Sequence, residues 1–408
     1  MIDSPDTPQK KILGLHANIF FLGIVSLLTD VSSEMIFTLV PLFLTNVLGA
    51  AGTIVGLVGG VSEGIDALVR IYSGWLSDRI GKRKLLAVCG YSISTIAKPF
   101  LLLANVWGAV LAVRFADRIG KGVRSSSRDA LIADSASAGD RGRAFGLHRA
   151  MDTSGAFLGL AIAALIVYMA QGASSIQLSP GSFRWLIIMG VIPAVLAVGV
   201  LQIFVGEKRK GPLSHERAHN LPAGGAAGKF DKRFKVFLAI MVVFTLGNSS
   251  DFFVIIRAQN VGVSLLQVAL MLMLHNVAYA ALSLPMGALS DKLGRRRVIA
   301  LGWFIYALVY LGFAVASNVW QVWLLFICYG IYYGVVEGVA RSFVADLVPP
   351  DKRGTAYGLY HGAVGISLVA ASMGAGWLWD KLGPSSPFFL GAGLAFVAML
   401  AIMVLIKE

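Results

Sequence analysis

Apolar positions in this chain run on in long blocks, with neither the strict alternation of a half-buried strand nor the narrow stripe of a surface helix. Breaks at Gly, Pro and charged residues divide the blocks. They predict helices near 16–48, 53–77, 84–104, 107–128, 143–170 and 183–205. A second series is predicted near 234–258, 264–289, 297–316, 320–345, 355–380 and 386–406. A bilayer core about 30 Å thick takes about 20 apolar residues per helix, which is the order of length of each block. The pattern therefore predicts an all-α membrane protein of about twelve transmembrane helices. Between the two series lies Gly206–Asp231, a polar, basic, Gly/Pro-rich stretch with the composition of a flexible linker. The expected organisation is an N-terminal six-helix bundle over 1–205, a cytoplasmic linker over 206–232 and a C-terminal six-helix bundle over 233–408.

Composition agrees. Of the 408 residues 57% are hydrophobic and 14% charged, with a mean hydropathy of +0.75, whereas soluble domains carry about 25% charge. The polar start, Met1–Lys11, and an apolar run from Ile19 to Leu28 that leads into Asp30 predict no removable signal peptide. Cys89 and Cys328 sit singly in apolar runs and imply neither a disulfide framework nor a metal site. The net charge of +13 raises the question of nucleic acid, but its placement answers it. Basic clusters at Lys10–Lys11, Arg79–Lys84, Arg124–Arg143, Lys208–Lys235, Arg295–Arg297 and Lys352–Arg353 alternate with loops near 50–53, 105–107, 171–182 and 317–319 that hold no Lys or Arg. Basic loops mark the cytoplasmic side. Both termini are thus expected in the cytoplasm, and the expected partners are the lipid bilayer and a small-molecule substrate, with no nucleic acid and a monomeric state.

The two series are copies of one another. GWLSDRIGKRK at 74–84 recurs as GALSDKLGRRR at 287–297, and AD…RGRAFGL, ending at Leu147, recurs as AD…RGTAYGL, ending at Leu359. SSE at 32–34 recurs as SSD at 249–251. Parallel six-helix repeats are a transporter architecture. GWLSDRIGKRK and GALSDKLGRRR resemble the signature of the loops after the second and eighth helices in the major facilitator superfamily. That resemblance covers essentially the whole chain. It implies two six-helix bundles around a central cavity and alternating access by rocking of the halves. It also implies gating roles for Gly74, Asp78, Arg79, Gly81 and Arg83, and for Gly287, Asp291, Gly294 and Arg295. In that family the aspartate faces a helix N-terminus of the opposite half, where a carboxylate is favoured by the helix dipole. TDVSSEM together with SEGIDALVRIYSGW resembles a bacterial subgroup, which implies the inner membrane.

Charge inside a membrane helix costs at least about 2.5 kcal/mol, so it faces a cavity or a partner. The candidates are Asp30 and Glu34 in the first helix; Glu63, Asp66 and Arg70 in the second; Asp251 in the seventh, the repeat equivalent of Glu34; and Glu337 in the tenth. The fourth helix carries Arg114, Asp117, Arg118, Lys121 and Arg124. Asp66 and Arg70 stand four apart and also read as a self-neutralising intrahelical pair. Arg118-x-x-Lys121-Gly122 resembles the superfamily's R-x-x-Q-G pattern, whose arginine is linked to proton coupling in its antiporters, with lysine in place of glutamine. Asp30 or Glu34 is thus expected to bind a proton, held and released by Arg114 or Arg118. Lys98, beside Pro99, is read as pairing with a carboxylate of the second helix. His148, Arg149 and Asp152 open the fifth helix, and His275 and His361 read as helix contacts. Phe252, Phe253, Tyr332, Tyr333 and Tyr357 read equally as cavity lining or packing. Gly155-x-x-x-Gly159 is followed by Leu160 where drug/proton antiporters of the superfamily have proline.

No phosphate-binding G-x-x-x-x-G-K-[ST] loop, H-E-x-x-H or G-x-S-x-G motif is present, so ATP-driven transport and enzymatic hydrolysis find no support. No cofactor is implied; the expected driving force is a proton gradient. The expectation is a proton-coupled secondary transporter for a small polar or charged organic solute, with export ahead of import. A multidrug/proton antiporter and a non-transporting sensor on the same fold are the alternatives.

Overall fold

The computed structural model describes residues 11–12, 14–80, 82–136, 140–207, 230–349 and 353–406. The central linker therefore falls almost wholly outside the described residues. Twelve long helices account for most of what is described. In chain order they are α1 (Ala17–Val47), α2 (Gly52–Ile80), α3 (Arg83–Leu103), α4 (Trp107–Ser135), α5 (Arg141–Gln171) and α6 (Pro180–Phe204). The second series is α7 (Lys232–Asn260), α8 (Leu265–Leu293), α9 (Arg295–Val315), α10 (Val319–Asp346), α11 (Arg353–Leu382) and α12 (Ser386–Leu405). A two-residue antiparallel hairpin, β1 (Lys11–Ile12) with β2 (Leu15–His16), precedes them. Every predicted helix is present, with ends shifted by a few residues.

Eleven of the helices are long and apolar enough to cross a membrane. α4 is the exception because of its charges, and it is admitted because they point inward: Arg114, Asp117 and Arg124 are all buried inside the protein. Local chemistry explains the departures from regular helix. Pro99 follows Lys98, and α3 finishes there as a 3-10 segment, Lys98–Leu103. In α1 the helix relaxes at Thr38–Leu39 before Pro41 and finishes as a π turn, Phe43–Val47. α7 is interrupted at Asn248–Asp251, between Lys232–Gly247 and Phe252–Asn260. Ser264 caps α8 by accepting from Gln267 N at 3.4 Å, while Gln267 Oε1 accepts from Ser264 N at 3.0 Å.

The packing repeats after six helices. In the first half α1 lies on α5 and α6, and α4 lies on α2 and α3; in the second, α7 lies on α11 and α12, and α10 lies on α8 and α9. The halves meet along α2–α11 and along α5–α8, contacts that exchange under the same six-helix shift. This is a pseudo-twofold arrangement. The repeated sequence landmarks pair with each other: Arg83 forms an ion pair with Asp134, and Arg295 with Asp346 at 2.6 Å, the same α3–α4 and α9–α10 bridge in each half.

Close approach between helices is made by glycine. A Cβ on Gly155 would lie 2.4 Å from the Leu27 carbonyl oxygen, and one on Gly159 would lie 2.6 Å from that of Val31. Gly155-x-x-x-Gly159 thus seats α5 on α1. Gly330 and Gly334 seat α10 on α8 against the His275 and Tyr279 carbonyls, at 2.3 Å and 2.9 Å. Across the halves, Gly52, Gly56, Gly60 and Gly64 form one stripe of α2 facing Gly365, Val369, Ser372 and Gly376 of α11.

Candidate functional site

The two ends of the bundle differ. At the end away from the basic loops, called the far end here, the halves are locked. Asp380 at the end of α11 accepts from Gly52 N at 2.7 Å, Thr53 N at 2.8 Å and Thr53 Oγ1 at 2.6 Å. It caps the N-terminus of α2 from the opposite half, where free N–H groups and the helix dipole favour a carboxylate. Leu265 N donates to Ser175 O at 2.9 Å and Gln259 Nε2 donates to Ile176 O at 2.7 Å, closing the other junction. Toward the basic end, among the described residues, a cleft of about 990 Å³ opens between α5 and α8, with Arg149, Phe157, Asn276 and Tyr279 on its walls; Arg149 Nη2 donates to Tyr279 OH at 3.1 Å.

The charged side chains gather where the far-end closure meets this opening. Arg114 is 2% exposed. Its guanidinium lies 4.4 Å from the Phe37 ring and 5.7 Å from the Phe252 ring of the opposite half. Its Nε and Nη1 have no hydrogen-bond partner, nor has Arg118 Nε. Glu63 of α2 sits between these arginines and the second half: it interacts with Arg118, Arg114 and Asp251, and accepts from Ser250 Oγ at 3.1 Å. Ser250 and Asp251 occupy the interruption of α7, whose backbone is held by Ser250 N donating to Ser372 Oγ at 3.0 Å. Asp251 accepts from Tyr329 OH at 2.6 Å and from Tyr333 OH at 3.4 Å. A polar seam thus crosses from the arginines of α4 through Glu63 to the Asp251–tyrosine group of α7 and α10.

The other candidates divide by location. Glu34 accepts from Thr38 Oγ1 at 2.7 Å and interacts with Arg114, which keeps it at the seam. Asp30 stands apart from Arg114 and Arg118. It faces Asp152 of α5, with Lys121 and Arg124 of α4 acting on it through space. Asp117 accepts from Ser94 Oγ within a buried α3–α4 cluster. Asp66 and Arg70 pair within α2 at 2.7 Å, the self-neutralising arrangement. Glu337 accepts from Tyr279 OH at 2.6 Å and pairs with Arg341. Lys98 corrects the sequence reading: it is fully buried and donates to Ser32 Oγ at 2.7 Å and Ser33 Oγ at 3.2 Å of α1, not to a carboxylate of α2. Phe253 and Tyr332 are core residues, while Tyr333 reaches Asp251.

Among the gating residues, Gly81 and the side chains of Gly74, Asp78 and Arg79 lie outside the described residues. Among the described residues, Asp291 pairs with Arg295 of its own half at 3.3 Å. Gly294, at φ 89°, makes the tight turn between α8 and α9. Gly287 has open space around it. Arg83 and Arg295 are the intra-half bridges described above. Asp380 was not singled out from the sequence; its only signal is a carboxylate at the loop end of a helix.

A duplicated bundle with a closed end, an open end and a buried charged seam between its halves defines a transporter. The chain belongs to the major facilitator superfamily, whose family model matches residues 22–257 and 236–408. It is 33% identical over 395 residues to the uncharacterized MFS-type transporter MJ1317 of Methanocaldococcus jannaschii, covering 95% of each chain. Its fold is shared with the nucleoside transporter NupG, at a TM-score of 0.76 and 15% identity over 96% of this chain and 99% of that one. It is shared likewise with a POT family transporter solved with a thioalcohol-conjugated peptide, at a TM-score of 0.78, 15% identity and 97% coverage of both chains. The protein is a multi-pass membrane transporter and not an enzyme.

Proposed function

We propose that the chain is a proton-coupled secondary transporter that moves a small charged or zwitterionic organic solute by alternating access, with the 1–205 and 233–408 halves rocking about the seam. The observation that carries this reading is the seam: Arg114, held only loosely by Asp117 at 3.9 Å, and Arg118 keep buried guanidinium N–H groups without a hydrogen bond on one side, with Glu63 and Asp251 on the other. Buried donors without partners cost about 1–3 kcal/mol each, and more when charged, so they favour a ligand that satisfies them. An anionic group suits the arginines, and a cationic one suits Asp251 with its tyrosines. A purely lipophilic cargo would leave the arginine N–H groups unsatisfied, which disfavours the multidrug reading. The positive-inside pattern supports a cytoplasmic basic end, from which an exporter would load its solute.

The test is flux in proteoliposomes under an imposed pH gradient, with pooled anionic, cationic, zwitterionic and neutral solutes read by mass spectrometry. The expected result is gradient-dependent movement of a charged or zwitterionic solute, reduced tenfold or more in Arg114→Met and in Glu63→Gln. Flux indifferent to the gradient, or confined to neutral lipophilic compounds, contradicts the proposal.

A further inference from the structure

Helix packing builds the second-half side of the seam. Gly330 and Gly334 let α10 lie against α8, and the His275 carbonyl oxygen is 2.3 Å from where a Cβ on Gly330 would stand. Tyr329 and Tyr333, one turn apart on α10, are thereby set on the His275 ring, with centroids 5.3 Å and 5.5 Å away. The two phenol rings lie 5.1 Å apart at 77°. Opposite them the break in α7 presents Asp251. It is exposed, while Ser249, Ser250, Phe252 and Phe253 around it are buried. Its neighbours touch the first half: Ser250 Oγ donates to Glu63 at 3.1 Å, and the Phe252 ring lies 5.7 Å from the Arg114 guanidinium. The exposed carboxylate between them opens onto the space between the halves.

The hydrogen bonds leave two acceptors unused. Tyr329 and Tyr333 both donate to one oxygen of Asp251, Oδ1, at 2.6 Å and 3.4 Å. Among the described residues Oδ2 has no donor, and His275 Nδ1 is buried without a hydrogen-bond partner. A carboxylate accepts only, and so does an imidazole Nδ1 when the ring proton sits on Nε2. These groups call for a ligand that is positive and carries N–H donors. A quaternary ammonium group has none, and it binds against open aromatic faces that cage it. Here the three rings pack on one another, Tyr333 meeting Tyr329 and His275 edge to face, and enclose no cage. A primary ammonium group is compact and brings three donors.

We infer that Asp251, His275, Tyr329 and Tyr333 form the amine subsite for the transported solute, selective for a primary ammonium group over its N-methylated counterparts. The inference rests on the charged-solute reading above and gives that solute a chemistry and an orientation. Asp251 and His275 touch the amine. Tyr329 and Tyr333 are positioning residues, because their hydroxyls fix Oδ1 and so keep Oδ2 turned to the solute. Phe252 links this subsite to Arg114, so an anionic group on the same molecule reaches the arginine across that ring. An amino acid with a free primary amine has both ends.

The experiment measures binding to the full chain in lipid nanodiscs by thermal shift. The probes are short α- and ω-amino acids, the same compounds with the nitrogen trimethylated, and the same acids lacking nitrogen. At least one amino acid is expected to bind about tenfold or more tighter than its trimethylated counterpart, which leaves the acceptors without donors. His275→Phe keeps a ring against the tyrosines but removes Nδ1, and is expected to cut that preference to about threefold or less. Asp251→Asn is expected to weaken the amino acid by about tenfold or more. Should either variant fold poorly, the comparison of probes on the unsubstituted protein decides alone. A trimethylated compound that binds as tightly as its parent overturns the subsite. So does an amino-acid affinity unmoved by Asp251→Asn, or a preference unmoved by His275→Phe. Binding by none of the amino acids overturns it too. Gradient-driven flux of another charged solute in the pooled assay then leaves charged-solute transport standing, whereas no such flux removes both.

Discussion

Asp380 shows how much one side chain can decide. Its carboxylate receives two backbone N–H groups and one hydroxyl from the start of α2, so it bridges the halves. A cap of this kind contributes about 1–2 kcal/mol, enough for roughly a tenfold shift between two conformations. Asp380→Ala is therefore expected to speed labelling of a cysteine at Asn46, beside the α2 start, by about tenfold with a membrane-impermeant maleimide. An unchanged rate would mean that helix packing alone keeps the far end shut. Sequence reasoning found most of the buried charge because acids and arginines in apolar runs stand out by cost alone. It found Glu34, Glu63, Arg114, Arg118 and Asp251 in this way, and all five meet at the seam. It set Asp30 with Arg114 or Arg118 and did not foresee Asp152 as a neighbour, because that depends on how closely α5 approaches α1. It missed Asp380 because a carboxylate at a helix end is unremarkable until the opposite half supplies an N-terminus.

Among the elements, helix existence and order were legible from hydrophobic block length, since lipid leaves the backbone little alternative to a helix. The interruptions were not. Asn248–Asp251 contains no proline, and its backbone is held by Ser372 and by Tyr306, whose hydroxyl meets the Gly247 carbonyl and Asn248 Oδ1 at 3.1 Å each. These are contacts from distant sequence. The α2 glycine stripe was not singled out from the sequence, because its partner on α11 comes from the opposite half. A Cβ at Gly56 would stand 2.0 Å from the Ser372 carbonyl oxygen, which is backbone and cannot turn aside, whereas one at Gly374 meets nothing within 4 Å. Gly56→Ala should therefore weaken the far-end closure by about 1–3 kcal/mol, in the range of overpacked core sites. Gly374→Ala should be close to neutral. Thermal melting of the two variants side by side checks this, and equal melting temperatures would contradict the close α2–α11 contact.

For the whole molecule, duplication supplies both the frame and the asymmetry that makes it work. Each half repeats the same internal packing and the same arginine–aspartate bridge, yet the first half contributes the arginines of the seam and the second its aspartate and tyrosines. The inter-half bonds at the far end, and the cleft at the basic end, describe one extreme of a rocking motion. Distances at both ends, measured in one preparation, test this most directly. Spin labels at Val106 and Trp320 report the far end, and labels at Lys82 and Leu293 report the basic end. Across a pH series the two distances are predicted to change in opposite senses, the far pair widening as the basic pair closes. Distances that rise and fall together, or that stay fixed at both ends while pH-driven flux proceeds, would contradict the account.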